Sequence, residues 1–257
     1  MNLGELIALT RARLDDNALQ SDGSPVGNLW SNAELRFFLN DAVREACERG
    51  KLIRDEVTDN VTLITIIAGQ SLYALHASVF EIDGIRYTDS DQELCPTSSY
   101  EMSGGIVPAP DGYAASAYGS YPQWRSVRQS RARYFIQESL PDESIRLRLV
   151  PVPMEAAHVD RTGTTVPTQI RLTVYRTPLA EMVADGDVPS INVKHHFNLI
   201  DWACKRAFER RDRDTYDPTK SADAEAEFAR SFGIKETADQ KRMKRERRRE
   251  TVRYMEF

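Results

Sequence analysis

The residues of this chain that could support catalysis or metal binding are few and widely separated. Two of its four histidines, His195 and His196, are adjacent. Neighbouring side chains on a helix point about 100° apart, so this pair is poorly placed to bind one metal ion. Their position near the start of a predicted helix favours a surface pair, and His76 and His158 each lie far from the other histidines.

Other reactive residue types also lack suitable neighbours. Asp212-Arg213-Asp214 has the spacing of a divalent-metal ligand pair, but two further arginines precede it, which favours a solvated, charged helix end. Cys95 and Ser98-Ser99 have no histidine at a recognisable spacing for activating a nucleophile. Phosphate-loop, dinucleotide, HExxH and GxSxG motifs are missing from the sequence. We therefore predict no enzymatic activity, no cofactor and no metal site.

Charged residues are distributed unevenly along the sequence. The 257 residues include 34 Lys and Arg and 39 Asp and Glu, a net charge of −5. Residues 241–257 contain eight basic and three acidic residues, so residues 1–240 carry a net charge of −10. The basic segment ends in Val252, Tyr254, Met255 and Phe257. Arg, Met and aromatic residues are enriched in protein interfaces, which favours a docking tail. A solvated terminus and an arm that binds nucleic-acid phosphates stay open as alternatives.

Hydropathy and cysteine usage exclude several classes of protein. No run approaches the roughly 20 apolar residues that a membrane-spanning helix needs. The N-terminal segment contains Glu5 and lacks the cationic region of a secretory signal. Cys47, Cys95 and Cys204 are far apart and form no CxxC pair, which argues against a disulfide scaffold and a zinc ribbon. We expect a soluble protein made in the cytoplasm.

Helical periodicity predicts two helices near the N-terminus. Apolar residues at helical spacing predict the first helix over residues 3–15. Ser31-Asn32-Ala33-Glu34 is a capping box that begins the second helix, Trp30 precedes the cap, and Gly50 is a plausible stop.

The C-terminal part is predicted to be helical again. One helix is expected over about residues 193–211. Asp217-Pro218, an N-cap followed by proline at the first helical position, begins another over 218–232, and Gly233 follows it.

Between these helices the pattern changes to β-branched runs with a period of two, split by Pro and Gly turns. The predicted strands are Val61–Ile67, Ser71–Leu75, Phe80–Tyr87, Arg133–Gln137, Ile145–Val150 and Gln169–Tyr175. Residues 101–122 form a long loop that contains Tyr113, Tyr118 and Tyr121. Tyrosine-rich loops are either simply exposed or become ordered at an interface.

These patterns predict an α+β fold in which N- and C-terminal helices form a helical bundle with an inserted antiparallel β-sandwich or small barrel. The predicted divisions are the N-terminal helices (1–56), the β domain (57–190), the C-terminal helices (191–234) and a basic extended tail (235–257).

The order of elements resembles that of tailed-phage head-to-tail adaptor (connector) proteins. The residues that carry the resemblance are Leu29–Leu35 with Leu39–Ala42, Val61–Tyr73, Phe80–Tyr87, Leu147–Pro153, Leu199–Ala203, Asp212–Asp214 and Ala222–Phe232. These segments share hydrophobic patterns and a few Trp, Asn and Pro positions with that family, and together they cover most of the chain.

The resemblance implies a non-enzymatic structural protein of the virion neck, with commonly about twelve copies in a ring below the portal. It implies four partners: the portal, further copies of the chain, a downstream tail or nozzle protein, and genomic DNA that passes through the channel, during ejection for example, without sequence-specific binding. No membrane is involved. An acidic body repeated around a ring would repel the DNA backbone.

The resemblance also implies roles for particular residues. The portal-binding set in the tail is Arg247, Arg248, Arg249, Arg253, Tyr254, Met255 and Phe257. Tyr113, Tyr118 and Tyr121 form a possible tail-side loop.

Two alternatives for the function remain: another neck or tail protein, such as a tail-completion or tube protein, and a nucleic-acid-binding protein that uses the basic tail.

Overall fold

The computed structural model describes residues 1–16, 29–90, 92–99, 102, 124–140, 144–160, 162–211, 215–237, 240 and 243. The chain divides into two compact units. The helical unit consists of Met1–Ile53 and Arg176–Lys235, and the β unit consists of Arg54–Tyr175 and Glu236–Phe257.

Five helices are present in the described part of the chain. They are α1 (Leu3–Arg13), α2 (Asn32–Gly50), α3 (Asp59–Thr62), α4 (Leu199–Phe208) and α5 (Pro218–Phe232), and a 3₁₀ turn (Val193–His195) precedes α4. Helix α3 is a single turn within the β unit, and the other four helices belong to the helical unit.

Local capping sets the ends of α2. The Glu34 N–H donates to Ser31 Oγ at 3.2 Å, and the Ser31 N–H donates to Glu34 Oε2 at 2.8 Å, which confirms the predicted capping box. The bonds from the Ser31 backbone and side chain lower the pKa of Glu34. The helix ends at Gly50, as predicted, and Lys51 follows it in the left-handed conformation.

Helices α1 and α5 have comparable start signals. Asn2 and Glu5 form a capping box at α1. Asp217 accepts bonds from the two amides that follow Pro218, so the predicted start of α5 is confirmed.

The core of the helical unit forms where α4 packs against α2 and α5. Leu35 and Leu39 of α2 are fully buried with Ala203 of α4. The Trp202 and Phe228 rings lie 5.0 Å apart between α4 and α5. A buried side chain of this size contributes about 1.5–3 kcal/mol through the hydrophobic effect, so these contacts dominate the packing.

The predicted helix over 193–211 is shorter in the structure. Residues 193–195 form a 3₁₀ turn and α4 begins only at Leu199. The prediction of a surface histidine pair is wrong for His196, which is 1% exposed. Its Nε2 donates to the Ile191 carbonyl at 3.0 Å, so the ring is a core group with a satisfied polar atom.

Within its described residues, the β unit contains twelve short strands in four sheets. They are β1 (Arg54–Asp55), β2 (Leu63–Thr65), β3 (Leu72–Ala74), β4 (Val79–Tyr87), β5 (Cys95–Pro96), β6 (Arg128–Gln129), β7 (Tyr134–Ser139), β8 (Ile145–Val150), β9 (Val152–Pro153), β10 (Ala157–Val159), β11 (Thr165–Pro167) and β12 (Gln169–Arg176). The two larger sheets have the orders β1-β12-β2, with β4 also paired to β12, and β3-β8-β7-β5. The smaller sheets are β10-β11 and β6-β9.

Side chains that alternate between the two faces of the strands form the hydrophobic cores of this unit. In the register of β7 and β8, Phe135 lies opposite Leu149, and both side chains enter the main core. The neighbouring positions Ile136 and Val150 point to the other face, where they pack with Trp124 and Met102 in a second, smaller cluster. The sheet is therefore buried on both faces near β7.

Three strand-level predictions need correction. The described strands form several sheets but no closed barrel. The pairs β5-β7 and β6-β9 are parallel, whereas an antiparallel arrangement is predicted. The strand predicted over Val61–Ile67 is wrong at its start, because the amides of Val61 and Thr62 donate to the Thr58 carbonyl and form the helical turn α3.

No helix within the described residues is long and apolar enough to cross a bilayer.

Candidate interaction surfaces

Arg49 is a buried cation that joins α2 to α4 and α5. Its side chain is 5% exposed, and its guanidinium carbon lies 4.9 Å from the centre of the Trp202 ring and 5.2 Å from that of Phe228. Nε donates to Glu45 Oε1 and Nη1 donates to Glu225 Oε1, each at 2.8 Å. Its charge is thus balanced by two carboxylates and two aromatic faces.

Alternating charges extend from Arg49 along the same helices. Lys205 Nζ lies 2.6 Å from Glu225 Oε2, and Arg206 Nε lies 2.9 Å from Asp41 Oδ2. Burial alone would raise the pKa of Glu225, but the hydrogen bonds from Lys205 and Arg49 lower it below its usual value. We call the connected set the charge network: Asp41, Glu45, Glu48, Arg49, Lys205, Arg206, Glu209, Glu225 and Lys235.

The segment that follows α5 returns to α2, and we call Gly233–Lys235 the tail root. Gly233 ends the helix with φ 89° and ψ 175°, and its N–H donates to the Ala229 carbonyl at 2.8 Å. Its own carbonyl accepts a bond from Arg49 Nη1 at 3.4 Å. Two residues later, Lys235 Nζ donates to Glu45 Oε2 at 2.9 Å.

Lys235 interacts with two carboxylates of α2. Glu48 Oε2 lies 3.8 Å from its ammonium group, in addition to the bond to Glu45. Burial would lower the pKa of Lys235, but the hydrogen bond and charge of Glu45, with the charge of Glu48, raise it above its usual value. This contact was not predicted, because 190 positions separate Lys235 from Glu45 and no sequence motif links them.

Further capping contacts follow the tail root. The Thr237 N–H donates to Gln240 Oε1 at 2.9 Å, and the Gln240 N–H donates to Thr237 Oγ1 at 3.3 Å. Of the basic extended tail predicted over 235–257, the structure describes residues 235–237, 240 and 243.

In the β unit, a polar cluster surrounds Asp89. Arg131 donates to Asp89 Oδ1 at 3.1 Å and to Oδ2 at 2.5 Å, and it also donates to Glu155 at 3.1 Å. Burial would raise the pKa of Asp89, but its bonds and charge contacts with Arg131 lower it overall. His158 lies 3.5 Å from Asp89 and 3.4 Å from Thr168 Oγ1.

These residue types match those of a nucleophile, base and carboxylate triad, but the geometry does not support one. Thr168 is 1% exposed, so a substrate has no route to its hydroxyl. Arg131 occupies both oxygens of Asp89. The cluster therefore joins segments of the β unit and has no arrangement for acyl transfer.

Two of the three cysteines, Cys47 and Cys204, are buried thiols. Burial raises the pKa of Cys47 and of Cys204 to about 12, so both thiols stay protonated near neutral pH. Cys95 is exposed. In the described part of the chain, no three His, Cys, Asp or Glu side chains are grouped so as to hold a metal ion.

Apolar side chains are exposed on both units. Phe37 of α2 is 62% exposed, and its ring meets Phe38 edge-on at 6.2 Å. In the β unit, Val127 and Met154 are exposed on neighbouring segments that backbone hydrogen bonds tie together, including one from the Val152 N–H to the Val127 carbonyl. Exposed apolar groups on ordered backbone are candidate sites for protein contacts.

The site residues predicted from sequence lie outside the described residues. They are the tail set Arg247, Arg248, Arg249, Arg253, Tyr254, Met255 and Phe257, the loop set Tyr113, Tyr118 and Tyr121, and the Asp212–Asp214 motif.

Comparison with known proteins gives one family. The family model described as SU10 adaptor protein matches residues 1–253, nearly the whole chain. No individual curated protein matches the sequence.

Proposed function

Because the chain belongs to the SU10 adaptor protein family, a phage adaptor family, we propose that it is a head-to-tail adaptor of the virion neck. In this proposal, copies of the chain form a ring below the portal and join the capsid to the tail. Phage adaptors are typically structural proteins rather than enzymes, and we propose a structural role for this chain.

The observation that carries the proposal is the separation of charge along the chain. Residues 1–240 carry a net charge of −10, and residues 241–257 carry eight basic residues and an apolar end. An acidic body repeated around a ring repels the phosphate backbone and lets DNA pass without binding it. The oppositely charged tail is suited to a protein partner with acidic and apolar groups.

We assign the tail to the portal. Its proposed contact residues are Arg247, Arg248, Arg249, Arg253, Tyr254, Met255 and Phe257. Each tail needs only weak affinity for the portal, because a ring engages many copies at once and gains avidity. On the other side of the ring, the loop with Tyr113, Tyr118 and Tyr121 is assigned to the downstream tail or nozzle protein.

The test is to delete residues 241–257 and to measure attachment to portal-bearing heads by electron microscopy and co-sedimentation. The shortened chain is expected to keep the helical and β content of the full chain in circular dichroism and to lose attachment. Attachment at the level of the full chain would contradict the assignment of the tail.

Two further variants distinguish a protein partner from nucleic acid. One replaces Arg247, Arg248 and Arg249 with alanine, and the other replaces Tyr254, Met255 and Phe257. Docking to the portal requires both groups, so both variants are expected to lose attachment. A phosphate-binding tail would lose function only in the arginine variant, and its binding to DNA would weaken steeply with salt.

A further inference from the structure

We infer that Arg49 and Lys235 clamp the tail root to α2, so that the C-terminal tail leaves the helical unit from a fixed point. This inference rests on the proposed role of the tail in binding the portal. It assigns a positioning role to side chains that lie outside the tail itself.

The first part of the clamp is the end of α5. Gly233 has φ 89°, a backbone conformation that side-chain-bearing residues rarely adopt, and this conformation turns the chain out of the helix axis. Its N–H is bonded to Ala229 and its carbonyl to Arg49. Arg49 is itself held by Glu45, Glu225 and two aromatic rings, so the carbonyl of Gly233 has a rigid donor.

The second part is the ion pair of Lys235. Glu45 has a side chain only 10% exposed, and it accepts from Arg49 through one carboxylate oxygen and from Lys235 through the other. A carboxylate fixed on both sides in this way positions the Lys235 ammonium more firmly than a mobile surface acid does. Glu48 supplies a second negative charge one helical turn further along α2.

The Lys235 contact holds the root while contributing little to folding. The Lys235 side chain is 57% exposed, and Glu45 keeps its bond from Arg49 when Lys235 is removed, so the loss of this ion pair costs about 0–1 kcal/mol of stability. Ile234, next to it, is 83% exposed and adds no core contact. The contacts of Lys235 are therefore poorly explained by the stability of the unit and well explained by the need to fix where the next segment begins.

Fixing the root changes binding through entropy. A free tether must lose its conformational freedom when its tip docks, and a root that is already ordered reduces that loss. It also limits the volume that the tip explores and so raises its effective concentration near a partner site. Both effects are multiplied by the number of copies in an assembled ring.

The experiment compares three full-length variants with the wild-type chain. Lys235→Ala removes the ion pair, Lys235→Arg restores a cation at the same position, and Arg230→Ala removes a surface pair with Glu227 on the same helix. The concentration for half-maximal attachment to portal-bearing heads is measured together with the melting temperature. We expect attachment to weaken about threefold to tenfold in Lys235→Ala at an unchanged melting temperature. We expect Lys235→Arg and Arg230→Ala to behave like the wild type.

A second readout does not depend on the portal. Amide hydrogen exchange is measured over residues 233–240 in the free protein. Faster exchange in Lys235→Ala, but not in Arg230→Ala, supports the clamp. Equal exchange in all variants overturns it, as does unchanged attachment of Lys235→Ala when deletion of 241–257 abolishes attachment. If that deletion has no effect while the exchange difference is present, the clamp stands and the portal assignment of the tail fails.

Discussion

Glu225 illustrates how a partly buried side chain depends on its neighbours. Its carboxylate receives hydrogen bonds from Arg49 and Lys205, which lower its pKa despite burial. A carboxyl group whose pKa is lowered by folding stabilises the folded state at pH values above its usual pKa of 4.5. This stabilisation is lost as the pH falls through the lower pKa that the group has in the folded protein.

We predict that Glu225→Gln lowers the free energy of unfolding by about 1–3 kcal/mol at pH 7, because two charged donors lose their ionised acceptor. The difference from the wild type is expected to shrink as the pH falls below 4.5. Urea unfolding at several pH values measures it. Glu227→Gln is the control, since Glu227 lies on the same helix and forms an exposed surface pair with Arg230. An effect that is equally large at pH 3 and pH 7 would contradict the argument.

Single residues were predictable where their role is local and were not where it depends on distant contacts. The capping box at Ser31 is such a local signal, and it is present in the structure. His196 looks like a surface residue in a charged, helix-start sequence, yet it is buried, and its Nδ1 lies 3.2 Å from the Met1 carbonyl oxygen, 195 positions away. The Lys235–Glu45 pair is a long-range contact of the same kind.

The secondary-structure elements were predicted best where the sequence contains its own start and stop signals. The ends of α2 and α5 agree with their capping residues and glycines, and β8 has the predicted bounds Ile145–Val150. Val61 and Thr62 are β-branched residues that favour strands, but their amides donate to the Thr58 carbonyl in a helical turn. Their β propensity depends on context and is overridden by these local hydrogen bonds. The two parallel strand pairs join distant segments, for which sequence periodicity carries no information.

Helix α2 provides a test of capping at the scale of an element. We predict that Ser31→Ala destabilises the helical unit by about 1 kcal/mol, because the Glu34 N–H loses its acceptor. Urea unfolding followed by helical circular dichroism at 222 nm measures this loss. Asn198→Ala is the matched control, since Asn198 is the N-cap of α4 and its side chain makes no capping bond. A loss of the same size in both variants would mean that the bond to Ser31 is not the cause.

At the scale of the whole molecule, the β segment enters and leaves the helical unit at neighbouring positions. The Arg176 N–H donates to the Ile53 carbonyl at 3.1 Å, and Arg54 lies opposite Tyr175 in the antiparallel pair of β1 and β12. All the residues in the main core of the helical unit lie outside the segment 54–175. The two units therefore have separate cores, although the segment 54–175 of the β unit interrupts the sequence of the helical unit.

We predict that the helical unit folds when the segment between Ile53 and Arg176 is replaced by Asn-Gly. The Arg176 N–H donates to the Ile53 carbonyl, which is the bond that closes a two-residue turn, and Asn-Gly favours the required conformation. A chain of residues 1–53, Asn-Gly and 176–240 is expected to show helical circular dichroism and one cooperative urea transition. A control with the same ends joined by a single proline, which cannot form this turn, should be less stable. A noncooperative transition in the Asn-Gly chain would contradict the prediction.

The close approach of Ile53 and Arg176 also has a consequence for the order of events during synthesis. The partners of α2 in its core, such as Trp202 and Phe228, leave the ribosome only after the whole of 54–175 has been made. The strand pairs and hydrophobic clusters of the β unit lie entirely before that point, apart from the last residue of β12. We therefore expect the inserted segment to fold first on the nascent chain. Helices α1 and α2 can complete the core of the helical unit only after α4 and α5 have been synthesised. Until then, they are joined to the folded β segment through the C-terminal end of α2 alone.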